Sequence, residues 1–322
     1  MKQPTEWCGR RILITGGTGM VGSSLAVRLV QDGCRVWVLS RQETSRDRLK
    51  TIEEQIHFRA VDIRDALSLS AAIDEIRPEV VYHLASTPFN PPTVSGVTHM
   101  QVIAMGTVNI LEALRDRPGI RIISTGSAAE YGSGARIRED QPLAPRTALG
   151  AAKAASTLLM QTYAALHRME TVVLRVFTPF GPWEKAERLV PHTILSALNG
   201  QDVSLSDGRQ ERDFFYIDDL VEALRLAAIK PVPPGSVINI CSGRGIPVLE
   251  LVELILRLMK KNVRAIPGAL PTRPDEIWEC SGDNSAAHRL LGWVPRTRLE
   301  EGLSKTIEWV TLHQDEVSGL NR

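Results

Sequence analysis

The run Thr15-Gly16-Gly17-Thr18-Gly19-Met20-Val21-Gly22 sets Gly16, Gly19 and Gly22 three residues apart, between a short apolar stretch and a helical pattern. Each glycine has its own task in holding a pyrophosphate: one turns the chain tightly, one lets the backbone approach the phosphates, one packs helix on strand. The first helical turn then offers free N–H groups and the positive end of its dipole to the anion. The chemistry implied is dinucleotide binding, with Gly16, Gly17, Thr18, Gly19, Met20, Val21 and Gly22 around the phosphates. A side chain at Gly16 or Gly19 is expected to block the ligand and leave the fold intact. A glycine-rich turn without a ligand is the alternative, and the flanking strand, helix and second strand argue against it.

The next apolar run ends Val38-Leu39-Ser40-Arg41. An acid at that place bonds the adenosine ribose hydroxyls of NAD; Ser40 followed by Arg41 suits a 2′-phosphate, which favours NADP over NAD. The competing placement lays Arg41 over the adenine or in solvent. Asp62, with Ile63 beside it, is placed to meet the adenine amino group or to cap a loop. Leu84, Ala85 and Ser86, closing the fourth apolar run, are expected along the same crevice.

The elements that must position these residues alternate in type through the first half of the chain. Strands are expected at 11–15, 35–39, 57–61, 80–84, 120–124 and 172–176, with helices at 21–32, 66–76, 98–115 and 147–167 between them. That rhythm is the mark of βαβ units on a parallel sheet. The expected fold is α/β, a Rossmann-like doubly wound parallel sheet with a smaller mixed C-terminal substrate domain. The division falls at 1–176 for the dinucleotide-binding domain and 177–322 for the substrate domain, with 213–241 returning to the first.

A formal charge of +1 over 322 residues gives no field for steering onto nucleic acid or anionic lipid. The four cysteines lie far apart, without Cys-x-x-Cys or a nearby His at ligand spacing, so neither a disulfide framework nor a metal site is expected. The first eight residues lack the apolar core of a signal peptide, and no apolar run reaches the roughly 20 residues of a membrane span. A soluble, cytoplasmic protein is expected.

Further blocks extend the pattern: Val81-Tyr82-His83-Leu84-Ala85, Gly106 through Ala113, Ser127 through Tyr131-Gly132, Arg175 through Gly181-Pro182, Arg212 through Asp219, Arg273-Pro274-Asp275-Glu276 and Leu291 through Pro295. With the glycine loop they make the chain resemble the extended short-chain dehydrogenase/reductase family, whose members mostly epimerise, dehydrate or reduce nucleotide-linked sugars. The resemblance implies an NAD(P)-dependent, homodimeric enzyme with a nucleotide-sugar substrate. The two long helices would pair with their copies, Ala151, Ala154, Ala155 and Leu158 supplying contacts. It places Ser127 and Lys153 in the catalytic set, Lys153 also on the nicotinamide ribose. It sets Arg212 and Arg273 on the substrate diphosphate, and Ser127, Thr178 and Val190 against the sugar nucleotide.

The chain departs from that pattern at the proton-transfer residues. The family's tyrosine, four before the lysine, is here Leu149, and the asparagine of the preceding helix is Ile103. Ala128 and Ala129 stand where the dehydratase subgroup has an acidic pair, and Thr178 where many members have Asn. Leucine carries no proton, so Tyr131 and His192 are the first candidates for a replacement acid, with Glu130, Tyr163, Glu184 and Lys185 behind them; His83, in a central strand, reads as a satisfied core histidine. Two readings follow: a nucleotide-sugar epimerase, dehydratase or reductase with an altered proton path, or a non-redox member that keeps its pockets as a binding or sensor subunit. A reaction without net hydride transfer lies between them.

Overall fold

The computed structural model describes residues 7–88 and 94–319; the segment before Trp7, read above for a leader, lies outside them. Seven strands form one sheet: β1 (Arg11–Thr15), β2 (Arg35–Ser40), β3 (Ile56–Ala60), β4 (Val80–His83), β5 (Arg121–Ser127), β6 (Glu170–Val176) and β7 (Ser236–Ile240). Their order is β7-β6-β5-β4-β1-β2-β3, and every neighbouring pair is parallel. Strand order reverses between β1 and β4, which opens a crevice at their carboxyl ends, the usual ligand position in such sheets.

Both sheet faces are covered, so the central strands β1 and β4 are buried along their length rather than alternating. On β1, Ile12 and Ile14 point into the larger core with Leu25, Leu29, Leu220 and Leu224, while Leu13 joins Leu69, Ile73, Ile110 and Met160 on the other face. Helices Met20–Gln31 and Ile217–Ile229 pack together against the first face; Ala66–Ile76, Gly106–Leu114 and Ala148–His167 cover the second. Asp65 caps the helix at Ala66 by accepting from the Leu67 and Ser68 amides, and Arg77 ends it in a left-handed conformation.

Two features differ from the periodic reading. The long helix expected at 98–115 is three segments, Gly96–His99, a π-helical turn at Met100–Met105, and Gly106–Leu114. One inserted residue leaves the apolar spacing of a helix almost unchanged, so periodicity does not reveal it. Within 213–241, expected to return to the first domain, Ser236–Ile240 joins the main sheet beside β6, whereas Phe214–Tyr216 pairs with Thr178–Phe180 outside it.

Beyond β6 the chain adds helices Leu189–Leu198, Val248–Met259 and Leu299–Leu312 and several two-stranded ribbons. Val203, Leu205, Val248, Val252 and Leu256 form a small core of their own, but Val190, Ile194, Leu251 and Leu303 belong to the main core, which runs on without a break. No helix among the described residues is long and apolar enough to cross a membrane.

Candidate active site

The glycine loop leaves β1 and enters its helix at the switch point. Gly16 has φ +72°, and a Cβ there would lie 2.6 Å from the Ala85 amide nitrogen and 2.7 Å from the Leu84 carbonyl carbon. A Cβ on Gly22 would strike the Gly16 carbonyl oxygen, and one on Gly17 would sit 2.7 Å from Val38 Cγ1. Gly19 is different: at φ −78° it caps the helix, and a Cβ there meets nothing closer than the Gly16 carbonyl oxygen at 3.4 Å. The room in front of Gly19, and a helix start without a side-chain cap, fit a phosphate. The expectation that Gly16 tolerates a side chain is therefore corrected, because its hydrogen faces the β4 backbone.

A buried hydroxyl chain fixes this corner. The Ala85 amide donates to Thr15 Oγ1 at 3.3 Å, Thr15 Oγ1 lies 2.8 Å from His83 Nδ1, and His83 Nε2 lies 3.1 Å from Thr107 Oγ1. Thr107 donates its one proton to the Ile103 carbonyl at 2.6 Å, so it accepts from His83 and from Ser156 Oγ at 2.7 Å. His83 is accordingly the Nε2–H tautomer, and burial, with Lys153 nearby, lowers its pKa to about 3. It is a satisfied core histidine, and its chain ties the glycine loop to the carbonyl of Ile103 in the π turn.

At the adenine side, Ser40 ends β2 half-buried, and Arg41 is exposed with its guanidinium 3.4 Å from Glu43. Asp62 accepts from the Arg64 amide at 2.9 Å and from its guanidinium at 2.6 Å, and Arg64 holds the Asp62 carboxyl below its ordinary range. Asp62 opens onto a cavity of about 500 Å³ that also takes in Asp65, Gln101 and Asn109. Ile63 is buried against Gly106 and its carbonyl accepts from Asn109 at 2.9 Å. Leu84 is buried, Ala85 half-buried and Ser86 exposed, just past the end of β4.

Lys153 and Ser127 come from neighbouring elements. Thr147 caps the Ala148–His167 helix by accepting from the Gly150 amide at 3.0 Å, and a Cβ on Gly150 would lie 2.5 Å from the Ala129 carbonyl oxygen. That close approach brings Lys153 to the end of β5, where Nζ donates to the Thr125 carbonyl at 2.7 Å. Burial lowers the Lys153 pKa to about 8, opposed by Glu130. The Thr125 carbonyl is its one hydrogen-bond partner among the described residues, so two N–H groups remain for a ligand. Ser127 Oγ accepts from the Ala129 amide at 3.2 Å and keeps its own proton to give. Leu149 lies half-buried one turn before Lys153.

The candidates for a replacement acid fare differently. Tyr131 is 4% exposed; its hydroxyl donates to Asn239 Oδ1 at 2.9 Å and accepts from Arg175 Nη1 at 2.7 Å. Burial raises its pKa to about 12. Glu130 is fully buried, paired with Arg175 Nε at 2.7 Å and accepting the Ser127 amide at 2.7 Å. These groups form the floor beneath Ser127, so the reading of Tyr131 as a replacement acid is corrected: its oxygen is occupied on both sides. His192 is exposed on the Leu189–Leu198 helix, while Val190 beside it is buried. No hydrogen bond joins the His192 ring to Ser127 or Lys153 among the described residues.

On the substrate side, Arg212 Nη2 meets Glu276 Oε1 at 2.6 Å, and Nη1 donates to the Glu211 and Ile277 carbonyls. Arg273 is exposed on the same loop, its carbonyl accepting the Glu276 amide. Thr178 is half-buried, and its amide donates to the carbonyl of Asp213, whose carboxylate collects four bonds from Ser242, Gly243 and Gly282. The sequence reading missed Arg48 and the Glu130–Arg175–Tyr131–Asn239 network, whose members are too far apart in the chain to leave a local pattern.

A doubly wound sheet, a glycine loop with phosphate room at Gly19 after β1, and a buried lysine at the end of β5 define a Rossmann-type dinucleotide-binding protein. Residues 12–241 match the profile of the NAD dependent epimerase/dehydratase family, and the chain belongs to that family. It is 31% identical to UDP-glucuronic acid decarboxylase 1 of Danio rerio, over 93% of this chain and 72% of that one. It is 27% identical to dTDP-glucose 4,6-dehydratase of Neisseria meningitidis serogroup B, covering 93% of each. The solved structure of UDP-glucuronic acid 4-epimerase from Bacillus cereus, in complex with UDP-glucuronic acid and NAD, superposes with a TM-score of 0.86 at 25% identity, over 94% of this chain and 99% of that one.

Proposed function

We propose that the protein is an enzyme that holds a nicotinamide dinucleotide and acts on a nucleotide-linked sugar, with a proton path altered at Leu149. The observation that carries this is that the Gly19 phosphate room at the carboxyl end of β1 and the Lys153 and Ser127 groups at that of β5 lie on the same edge of the sheet, with β4 between them. A bound nicotinamide would take and return a hydride at a sugar carbon. Lys153 has two free N–H groups for ribose hydroxyls, and its lowered pKa lets it hold or release a proton near neutrality. Ser127 has a proton to offer a sugar oxygen, and its position is fixed by the buried Glu130–Arg175 pair. Two of the three relatives named act on UDP-glucuronic acid, so a UDP-uronic acid is the first substrate to try.

NAD is the first cofactor to test, because the Bacillus cereus structure holds it; Ser40 and Arg41 keep NADP as the alternative. Residues 177–212 and 242–322 supply the sugar-nucleotide side. We also infer a homodimer, since Val97, Met100 and Met105 in the segments Gly96–His99 and Met100–Met105, and Leu158 and Leu166 on the Ala148–His167 helix, are exposed apolar residues. Ala154 does not belong to that face, because it is buried within the chain.

The test is to denature the purified protein, identify any released dinucleotide, and then supply NAD or NADP with UDP-, dTDP-, GDP- and CDP-sugars while following product by chromatography. Conversion of a nucleotide sugar is expected. Tight binding of cofactor and sugar nucleotide without conversion of any would favour the binding-subunit reading, which Leu149 motivates.

A further inference from the structure

Arg48 stands in the helical turn Asp47–Gln55 after β2, away from every motif of the sequence, yet it spans two walls of the site. Nη1 donates to the Thr18 carbonyl at 3.2 Å, and Nε and Nη2 both donate to the Trp183 carbonyl at 3.1 Å. Thr18 is in the middle of the glycine loop. Trp183 opens the segment that leads into the substrate-side helix at Leu189. Burial disfavours the Arg48 charge, and Asp47 and Glu187 offset part of that cost.

The segment that Arg48 grips is held under load. Trp183 has φ +66°, a left-handed conformation that bulky residues rarely adopt without surrounding constraint. Its carbonyl is held by Arg48 and its indole by Trp309, 4.7 Å between ring centroids, with His313 stacked on Trp309 at 4.5 Å. The next residue, Glu184, is buried with Oε1 accepting from Arg188 at 3.3 Å, while Oε2 has no hydrogen-bond partner among the described residues. A strained residue followed by an unsatisfied buried oxygen is a segment whose position depends on its clamps.

We infer that Arg48 is a positioning residue that transmits occupancy of the glycine loop to residues 183–188, so that a seated dinucleotide sets the substrate wall. The link is geometric. The Thr18 carbonyl and the Gly19 N–H belong to one rigid peptide plane, and the Gly19 amide donates to the Gly16 carbonyl at 3.1 Å within the phosphate turn. Any rotation of that plane as phosphate settles moves the acceptor of Arg48 Nη1. The rigid guanidinium then carries the movement to Trp183, which a lysine, with one ammonium on a flexible stem, cannot do as a fork. The inference rests on the dinucleotide reading above and needs no knowledge of the sugar.

The test is hydrogen–deuterium exchange read by mass spectrometry on the full chain, with NAD and separately NADP as the probe. In wild type the cofactor slows exchange in residues 16–22 and also in residues 181–192. In Arg48→Gln the protection of 16–22 persists and the cofactor-dependent protection of 181–192 is lost; Arg48→Lys behaves like Arg48→Gln. Trp309→Leu, which loosens Trp183 from its other side, raises exchange of 181–192 overall yet keeps its response to cofactor. A merely structural Arg48 would change exchange with and without cofactor alike, leaving the cofactor-dependent difference intact. The inference is overturned if Arg48→Gln retains that difference, or if wild type is protected at 16–22 alone. Protection at neither segment by either cofactor would overturn the dinucleotide reading and the coupling together.

Discussion

Two glycines of one loop should fail in opposite ways. Gly16→Ala places a Cβ 2.6 Å from the Ala85 amide nitrogen and holds alanine at φ +72°. The left-handed conformation costs about 1–2 kcal/mol. Forcing a methyl against a central backbone costs about 1–3 kcal/mol more. A loss of about 2–5 kcal/mol is a large part of the roughly 5–15 kcal/mol that holds a domain together. The Cβ of Gly19→Val comes no closer than 3.4 Å to its nearest neighbour, the Gly16 carbonyl oxygen, on an extended backbone. Its stability cost should stay near 1 kcal/mol, the scale of a changed helix cap. Its side chain fills the phosphate room, however. Losing even one charged hydrogen bond, about 1.5–3 kcal/mol, weakens dinucleotide binding roughly 10- to 100-fold. Urea unfolding and titration calorimetry with NAD and NADP separate the two effects. A Gly16→Ala protein as stable as wild type, or a Gly19→Val protein that binds cofactor at wild-type strength, would overturn these roles for the two glycines.

Burial raises the Glu184 pKa from 4.5 to about 7. Between those values the folded state binds more protons than the unfolded one, so this carboxyl's contribution is complete below about pH 4.5 and is lost as pH rises through 7. Glu184→Gln should therefore gain stability relative to wild type from pH 5 to 8 in thermal melts, by on the order of 3 kcal/mol at most; a constant difference across that range would reject a buried protonated acid. Arg41→Ala should weaken NADP more than NAD by about 1.5 kcal/mol, the low end for a charged hydrogen bond because the side chain is 57% exposed. Equal losses in calorimetry would mean that Arg41 does not meet a 2′-phosphate. Leu149→Tyr, with Ile103→Asn if needed, puts a phenol one turn from Lys153, whose ammonium depresses its pKa, and should create or raise epimerase or reductase turnover. Slower turnover than wild type would instead make Leu149 part of an evolved mechanism.

The strands and the glycine loop were legible because their signals are local. Apolar runs at sheet spacing and glycines where backbones meet leave their mark within a few residues. The π turn was not, since inserting one residue at Met100–Met105 keeps the helical apolar pattern. For Tyr131 the sequence left two roles open, a replacement acid or a packing and hydrogen-bonding residue, because its partners Arg175 and Asn239 are distant in the chain and joined only by folding. Arg48 escaped for a similar reason: both its partners are main-chain carbonyls, and a carbonyl has no residue type to read.

Hydride chemistry on a nucleotide sugar is the reaction proposed for the Gly19, Lys153 and Ser127 site. The most direct measurement supplies the cofactor-loaded protein with UDP-glucuronic acid deuterated around the sugar ring, and weighs both extracted cofactor and sugar nucleotide by mass spectrometry. The predicted result is an altered sugar nucleotide that keeps its deuterium, with deuterium in the nicotinamide of protein quenched during turnover, because the hydride is taken and then returned. A sugar nucleotide that binds but returns unchanged, beside a cofactor that has gained no deuterium, would contradict it.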